Sequence, residues 1–259
     1  MKRFLFLFVV LFSSVLIANP KDFWGQTGHR VVGDIAYNNL SKKAKKNIEK
    51  LIGEESLAML STYADEIKSD KRYDNFKPWH YINLKDGETY NESEKNPKGD
   101  LVTGINKCIE VLKSNTETKE QKVFYFKMLV HLMGDLHQPL HIGRKKDLGG
   151  NKLTVKWFYK TTNIHSVWDS KMIDSYNMSY TELSYNIDII SKDEIEEIQQ
   201  GTLLDWVDDT NKLSDKVYNS IKQNKTLSYR YMYDYFGIVK IQLEKGGLRL
   251  AKVLNDLFG

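Results

Sequence analysis

Apolar side chains recur at intervals of three and four along most of this chain, the spacing that places them on one face of an α-helix. Val31, Val32, Ile35, Ala36 and Leu40 make a first such stripe, and Ile48, Leu51 and Ile52 a second. Ser41 stands where the second helix needs an N-cap, because its hydroxyl can accept from an amide one turn further on. Residues 122–136 are apolar on nearly every side, which predicts a central helix buried all round. Pro139 has no amide hydrogen to continue a helix and marks where that text stops. Further helical text covers 181–185, 192–207, 211–221 and 231–257. Only 152–158 alternates like a strand, just after the turn Gly149-Gly150-Asn151. Residues 86–100 carry no period and are rich in Asn, Glu, Lys and Gly, so they read as a surface loop. With no repeat and no linker, the pattern predicts an all-α fold in one domain, with at most one small β-hairpin.

The first residues follow another pattern. Met1, Lys2 and Arg3 are followed by an apolar block at 4–17 and then by Ala18, Asn19 and Pro20. That order is the signature of a secretory signal peptide. The expected division is 1–18 as the leader and 19–259 as the mature domain, secreted or periplasmic. The apolar block falls short of the ~20 residues that cross a bilayer, and no later run approaches that length, so no membrane span is expected. Charge narrows the chemistry only slightly. Across 259 residues, 38 Lys and Arg against 34 Asp and Glu leave a net charge of +4, too small and dispersed to coat nucleic acid by charge alone. A substrate bearing phosphate remains open. The one cysteine, Cys108, cannot close an internal disulfide and reads as a small buried apolar residue. A zinc site built from several thiolates is excluded, so any metal must rest on imidazoles and carboxylates.

The histidines supply such a set. His131 and Asp135 lie four apart in the predicted central helix, and ~400° of rotation brings them to one face, one turn apart. His165 and Asp169 repeat that spacing, and one helical turn of either pair can offer a nitrogen and an oxygen to one cation. The bland alternative is a core histidine bonded to the aspartate of its own helix, which explains one pair better than it explains two. Between His131 and His141 the chain packs three histidines and one aspartate, and beyond Pro139 His141 can approach the same place from another direction. This supply exceeds the needs of one catalytic zinc and suggests more than one ion. His137 falls on a different face from Asp135 and reads as a supporting residue. Asp65 and Lys68 share a helical face, and His80 and His29 stand alone near Trp79 and Gly28. Asp65 with Lys68 could equally be a solvent ion pair, and His29 a helix-start residue.

Together, the segments around Trp24 to His29, Asp65 to Lys68, Trp79 to Asn83, His131 to His141, Gly149 to Asn151 and His165 to Asp169 occur in the order found in the zinc-dependent S1/P1 nuclease family. The chain resembles these secreted single-strand nucleases over almost all of its mature length. The resemblance implies an all-α fold with three Zn2+ ions in one cleft, related more distantly to zinc phospholipases C. It assigns Asp65, His80, His131 and Asp135 to one zinc, and His141, His165 and Asp169 to another. Asp135 would bridge to a third ion held also by His29 and Trp24. In the family the third ion takes the free amine of a Trp that begins the mature protein, whereas a cut after Ala18 leaves residues 19–23 in front of Trp24.

The implied function is hydrolysis of single-stranded DNA and RNA to 5′-phosphorylated products by a metal-activated water, with 3′-nucleotidase activity beside it. No Ser or Cys nucleophile is needed. Asp65, Lys68 and Asp135 would be catalytic, Lys68 holding charge on the phosphate in the transition state. Tyr81, Asn83, Leu148 and Asn151 match the family's base pocket, and Asn83 stands where well-known members carry Asp, a departure that bears on base preference. A pocket that stacks one base requires it to be unpaired. The partners implied are single-stranded DNA, RNA and nucleotides, with no stable protein partner and a monomeric state. Two other readings compete. A zinc phospholipase C would use the same ligands on a lipid phosphodiester, and a non-catalytic zinc-binding protein would leave Lys68 without a purpose.

Overall fold

The first apolar stripe folds as α1 (Gln26–Asn38), with Val31, Val32, Ile35 and Ala36 all buried. In this computed structural model residues 25–187 and 191–259 are described. The expected signal peptide, its cut after Ala18, and Trp24 lie outside the described residues. Ser41 caps α2 (Lys42–Ile52) as predicted, its Oγ accepting from Ala44 N at 3.1 Å. Two single turns follow, α3 (Leu57–Leu60) and α4 (Tyr63–Glu66), and then a 3-10 segment, Lys71–His80. After the strand β1 (Ile82–Leu84) the aperiodic region 86–100 runs as turns, and α5 (Leu101–Lys113) buries Cys108 on its inner side.

The central helix is α6 (Lys119–Asp135). Thr118 and Gln121 close a capping box at its start, satisfying amides that a helix leaves open, and every residue of 128–135 is buried. It ends at Asp135, and Pro139 instead opens a 3-10 turn, Pro139–His141, which leads into β2 (Ile142–Arg144). The expected hairpin is present as β3 (Thr154–Trp157) and β4 (Lys160–Asn163), antiparallel with Thr154 opposite Asn163. The structure adds two pairings: β1 runs parallel to β2 with Asn83 beside Gly143, and β5 (Thr226–Leu227) runs parallel to β3. Such two- to four-residue strands are too short for alternation to reveal. The all-α class stands.

Beyond β4 come α7 (Ile164–Ser166), a π-helical turn at Val167–Lys171, α8 (Met172–Ser175) and α9 (Tyr180–Tyr185). The later helical text divides differently from expectation. Gly201 takes φ +86°, Thr202 forms a capping box with Asp205, and the break therefore falls between α10 (Lys192–Gln199) and α11 (Leu203–Ser220). Asp208 and Asp209, where the apolar period lapses, sit on the exposed side of α11. The long α12 (Tyr229–Phe258) packs along α1, α2, α6 and α10. Gly33 lets α1 meet α3 backbone to backbone, because a Cβ there would lie 2.6 Å from Leu57 O. Among the described residues no helix is long and apolar enough to cross a membrane.

Candidate metal centre

The start of α1 and the end of α6 meet, and five histidines with three aspartates gather around that junction. His29 comes from the first turns of α1, Asp65 from α4, His80 from the end of the 3-10 segment, and His131 and Asp135 from the last turns of α6. His141 arrives on the turn opened by Pro139, His165 on α7 and Asp169 on the π-helical turn. The C-terminal end of α6 adds the negative pole of a helix to this place, which favours cations.

Asp135 is the hub. Its Oδ2 lies 2.9 Å from His80 Nδ1 and 3.1 Å from His131 Nε2, and its Oδ1 lies 2.9 Å from His141 Nδ1 and 3.5 Å from His29 Nε2. Asp65 Oδ1 is 3.5 Å from His131 Nε2 and 2.6 Å from Lys68 Nζ. Asp169 Oδ1 is 3.3 Å from His141 Nε2. Among the described residues three groups of donors could each hold a metal ion: His29, His131 and Asp135; Asp65, His80 and His131; and His141, His165 and Asp169. In each group the ligand atoms lie within 4.8 Å of one another.

Hydrogen bonds fix which nitrogens face inward. His131 Nδ1 donates to Ser61 O at 2.6 Å, and His165 Nδ1 donates to Gly149 O at 2.7 Å, so Nε2 of each ring is the nitrogen turned toward the other donors. Gly134 gives His29 its room, since a Cβ on that residue would stand 2.6 Å from His29 Nδ1. The donors also fit a cation chemically. Asp169 Oδ2 is buried and has no hydrogen-bond partner among the described residues, a cost that a bound cation removes.

The proton balance agrees. Burial opposes ionisation of Asp135, yet His131, His141 and His80 hold its pKa well below the ordinary carboxylate value. Burial lowers His29, His165 and His80, the last to about 4 with Lys68 contributing, so these rings are neutral and able to ligate. Burial also opposes charge on His131 and His141, but there the aspartates prevail, and His141 is raised to about 10. A metal entering at His141 must therefore displace a proton.

In front of the donors opens a cavity of about 680 Å³. Asp65, His80, His141 and His165 reach its wall, while His29, His131, Asp135 and Asp169 are buried behind them. Lys68 also lines it, and its pair with Asp65 is largely buried, unlike a solvent ion pair. Tyr81, Asn83, Leu148 and Asn151 line the same cavity. The parallel pairing of β1 with β2 sets Asn83 beside the chain that leads to Leu148. Leu148 takes φ +55° and stays half exposed, a strained backbone that presents an apolar side chain to the cleft. His137 is elsewhere: its ring is buried, donating to Met133 O and accepting from Arg249 Nη1. Ser69, Lys77 and Leu140 also line the cleft, and nothing in their sequence spacing marks them.

Residues 24–259 match the family described as S1/P1 Nuclease. The chain is 31% identical over 265 residues to Endonuclease 2 of Arabidopsis thaliana, covering 91% of each chain. It is 27% identical over 267 residues to Nuclease P1 of Penicillium citrinum, covering 91% of this chain and 98% of that one. It is 30% identical over 158 residues to Nuclease S1 of Aspergillus oryzae, covering 58% of this chain and 54% of that one.

Proposed function

The chain belongs to the S1/P1 nuclease family, and from that premise we propose that it is an exported zinc-dependent endonuclease that hydrolyses single-stranded DNA and RNA to 5′-phosphorylated products, with 3′-nucleotidase activity beside it. The observation that carries this reading is the union in one cleft of three His and carboxylate donor groups, a largely buried lysine and a half-exposed apolar wall. We read residues 1–18 as the leader and 19–259 as one catalytic domain acting as a monomer. Three zinc ions are assigned, with Asp65, His80, His131 and Asp135 on one, His141, His165 and Asp169 on the second, and Asp135, His29 and Trp24 on the third. Zinc bound by such donors lowers the pKa of water and neutralises charge on a phosphate.

The chain's own residues do the rest. Lys68, held by Asp65 at 2.6 Å, places an ammonium at the cleft wall where it can hold charge that develops on phosphate oxygens. Tyr81 and Leu148 offer a ring and an apolar side chain to a nucleobase, and Asn83 and Asn151 offer donors and acceptors to its edge. A base lodged there has left its partner strand, so selection for single strands follows without any sequence code. Purified protein incubated with denatured DNA, duplex DNA and phosphatidylcholine vesicles tests the reading. Denatured DNA should be cut to 5′-phosphorylated products, lost with a chelator and restored by zinc. Turnover of the lipid alone, or no turnover after zinc is returned, overturns it.

A further inference from the structure

Gln138 belongs to none of the donor groups, yet it is fully buried and both ends of its amide are engaged. Its Nε2 donates to Asp169 Oδ1 at 3.1 Å, and its Oε1 accepts from Leu140 N at 2.5 Å. The partners set the amide's orientation, because an ionised carboxylate only accepts and a backbone N–H only donates. One end therefore holds the carboxylate of Asp169. The other closes the turn Pro139–His141 that delivers His141. With Oδ1 held, Oδ2 is the oxygen of Asp169 that lacks a hydrogen-bond partner among the described residues. The main chain on both sides is fixed as well, since Gly25 N donates to Asp169 O at 2.6 Å and Gln242 Nε2 donates to His137 O at 3.0 Å.

We propose that Gln138 is a positioning residue, one amide that fixes the carboxylate of Asp169 beside the cation shared with His141 and His165, and that sets the turn bringing His141 to it. The inference rests on the ligand assignment made above. A neutral amide suits this role. It donates to the carboxylate without neutralising it, whereas a lysine at the same place would repel the cation it helps to bind.

The test uses the full mature chain stripped of metal. It is titrated with Zn2+ and with Co2+ against a chromophoric chelator, and the ligand-field absorption of bound Co2+ is recorded. Wild type and Asp169→Asn are compared first. If Asp169→Asn leaves every class of metal site unchanged, the ligand assignment has failed whatever Gln138 does. Where Asp169→Asn weakens one class, Gln138→Leu should weaken that same class about 10- to 100-fold and alter its Co2+ absorption. The other classes should keep wild-type affinity, a selectivity that a merely structural role would not predict, while the chelated protein melts lower because Leu140 N loses its buried acceptor. Gln138→Met, unbranched and of matching length, replaces the leucine variant if that one does not fold. Wild-type affinity and spectrum in the variant that folds overturn the proposal.

Discussion

Asp135 faces four imidazoles, those of His29, His80, His131 and His141. Asp135→Ala removes the carboxylate that His29, His80, His131 and His141 share. Cleavage should fall to background and the metal content should drop, as read by elemental analysis of the purified variant; full activity with full metal would contradict the hub role. Lys68→Ala separates binding from chemistry. Its turnover should fall about 10²- to 10³-fold, the usual cost of one transition-state charge donor, with metal content intact. His141 adds a pH dependence. Its pKa is raised from 6.5 to about 10 by Asp135 and Asp169 against burial, so the stability it gives the metal-free protein is fully present below pH 6.5 and lost as pH rises through about 10. A metal ion needs the neutral ring. Between roughly pH 7 and 9 the affinity of the His141 site should therefore rise about tenfold per unit, with one proton released per ion into weakly buffered indicator solution. An affinity flat across that range would refute this balance.

At the scale of elements, legibility followed length and period. The stripes of α1 and α6 and the cap at Ser41 could be read because each is local: a repeat of three and four, or a hydroxyl one turn from an amide. The pairs His131 with Asp135 and His165 with Asp169 were visible for the same reason. What brings His29, Asp65 and His80 to them is contact between distant segments, and no spacing encodes it; only the order of motifs pointed there. The divided helix at Gly201 shows the limit from the other side, since a positive φ and a capping box outweigh the apolar period that runs through 192–207. Gln138 and the parallel pairing of β1 with β2 left no periodic trace at all. Gly134 makes the long-range dependence testable. Gly134→Ala gains helix propensity worth up to ~1 kcal/mol, but its methyl meets the ring of His29, and overpacking of this kind costs about 1–3 kcal/mol. The expected result is weaker metal binding at the group of His29, His131 and Asp135, measured by chelator competition, with little net gain in melting temperature. Unchanged metal affinity would show that His29 can move aside freely.

Across the whole molecule, the described chain beyond Asp169 supports a site to which it gives none of the assigned ligands. Arg249 on α12 donates to Ile198 O, to Asp209 on α11 and to the ring of His137, and stacks over Trp206, so one guanidinium ties three helices to the exit of α6. His137 must be neutral to accept from Arg249. Burial, with Arg249 and Lys245 adding to it, lowers its pKa to about 3. The unfolded chain holds this proton near pH 6.5, so the sign is that of a depressed pKa: stability is whole above pH 6.5 and falls as pH drops from there toward about 3. At pH 5 the loss from this one ring should be about 2 kcal/mol. The lowered rings of the metal centre, His29, His80 and His165, titrate below 6.5 as well, so the contrast must come from a variant. His137→Gln keeps an oxygen that can accept from Arg249 but binds no proton. Denaturant melts of the chelated protein at pH 7.5 and pH 5 should show the wild type losing about 2 kcal/mol more than the variant across that interval. Equal losses would mean that the acid sensitivity of this fold lies wholly in the metal centre, and that the support behind α6 withstands a charge on His137.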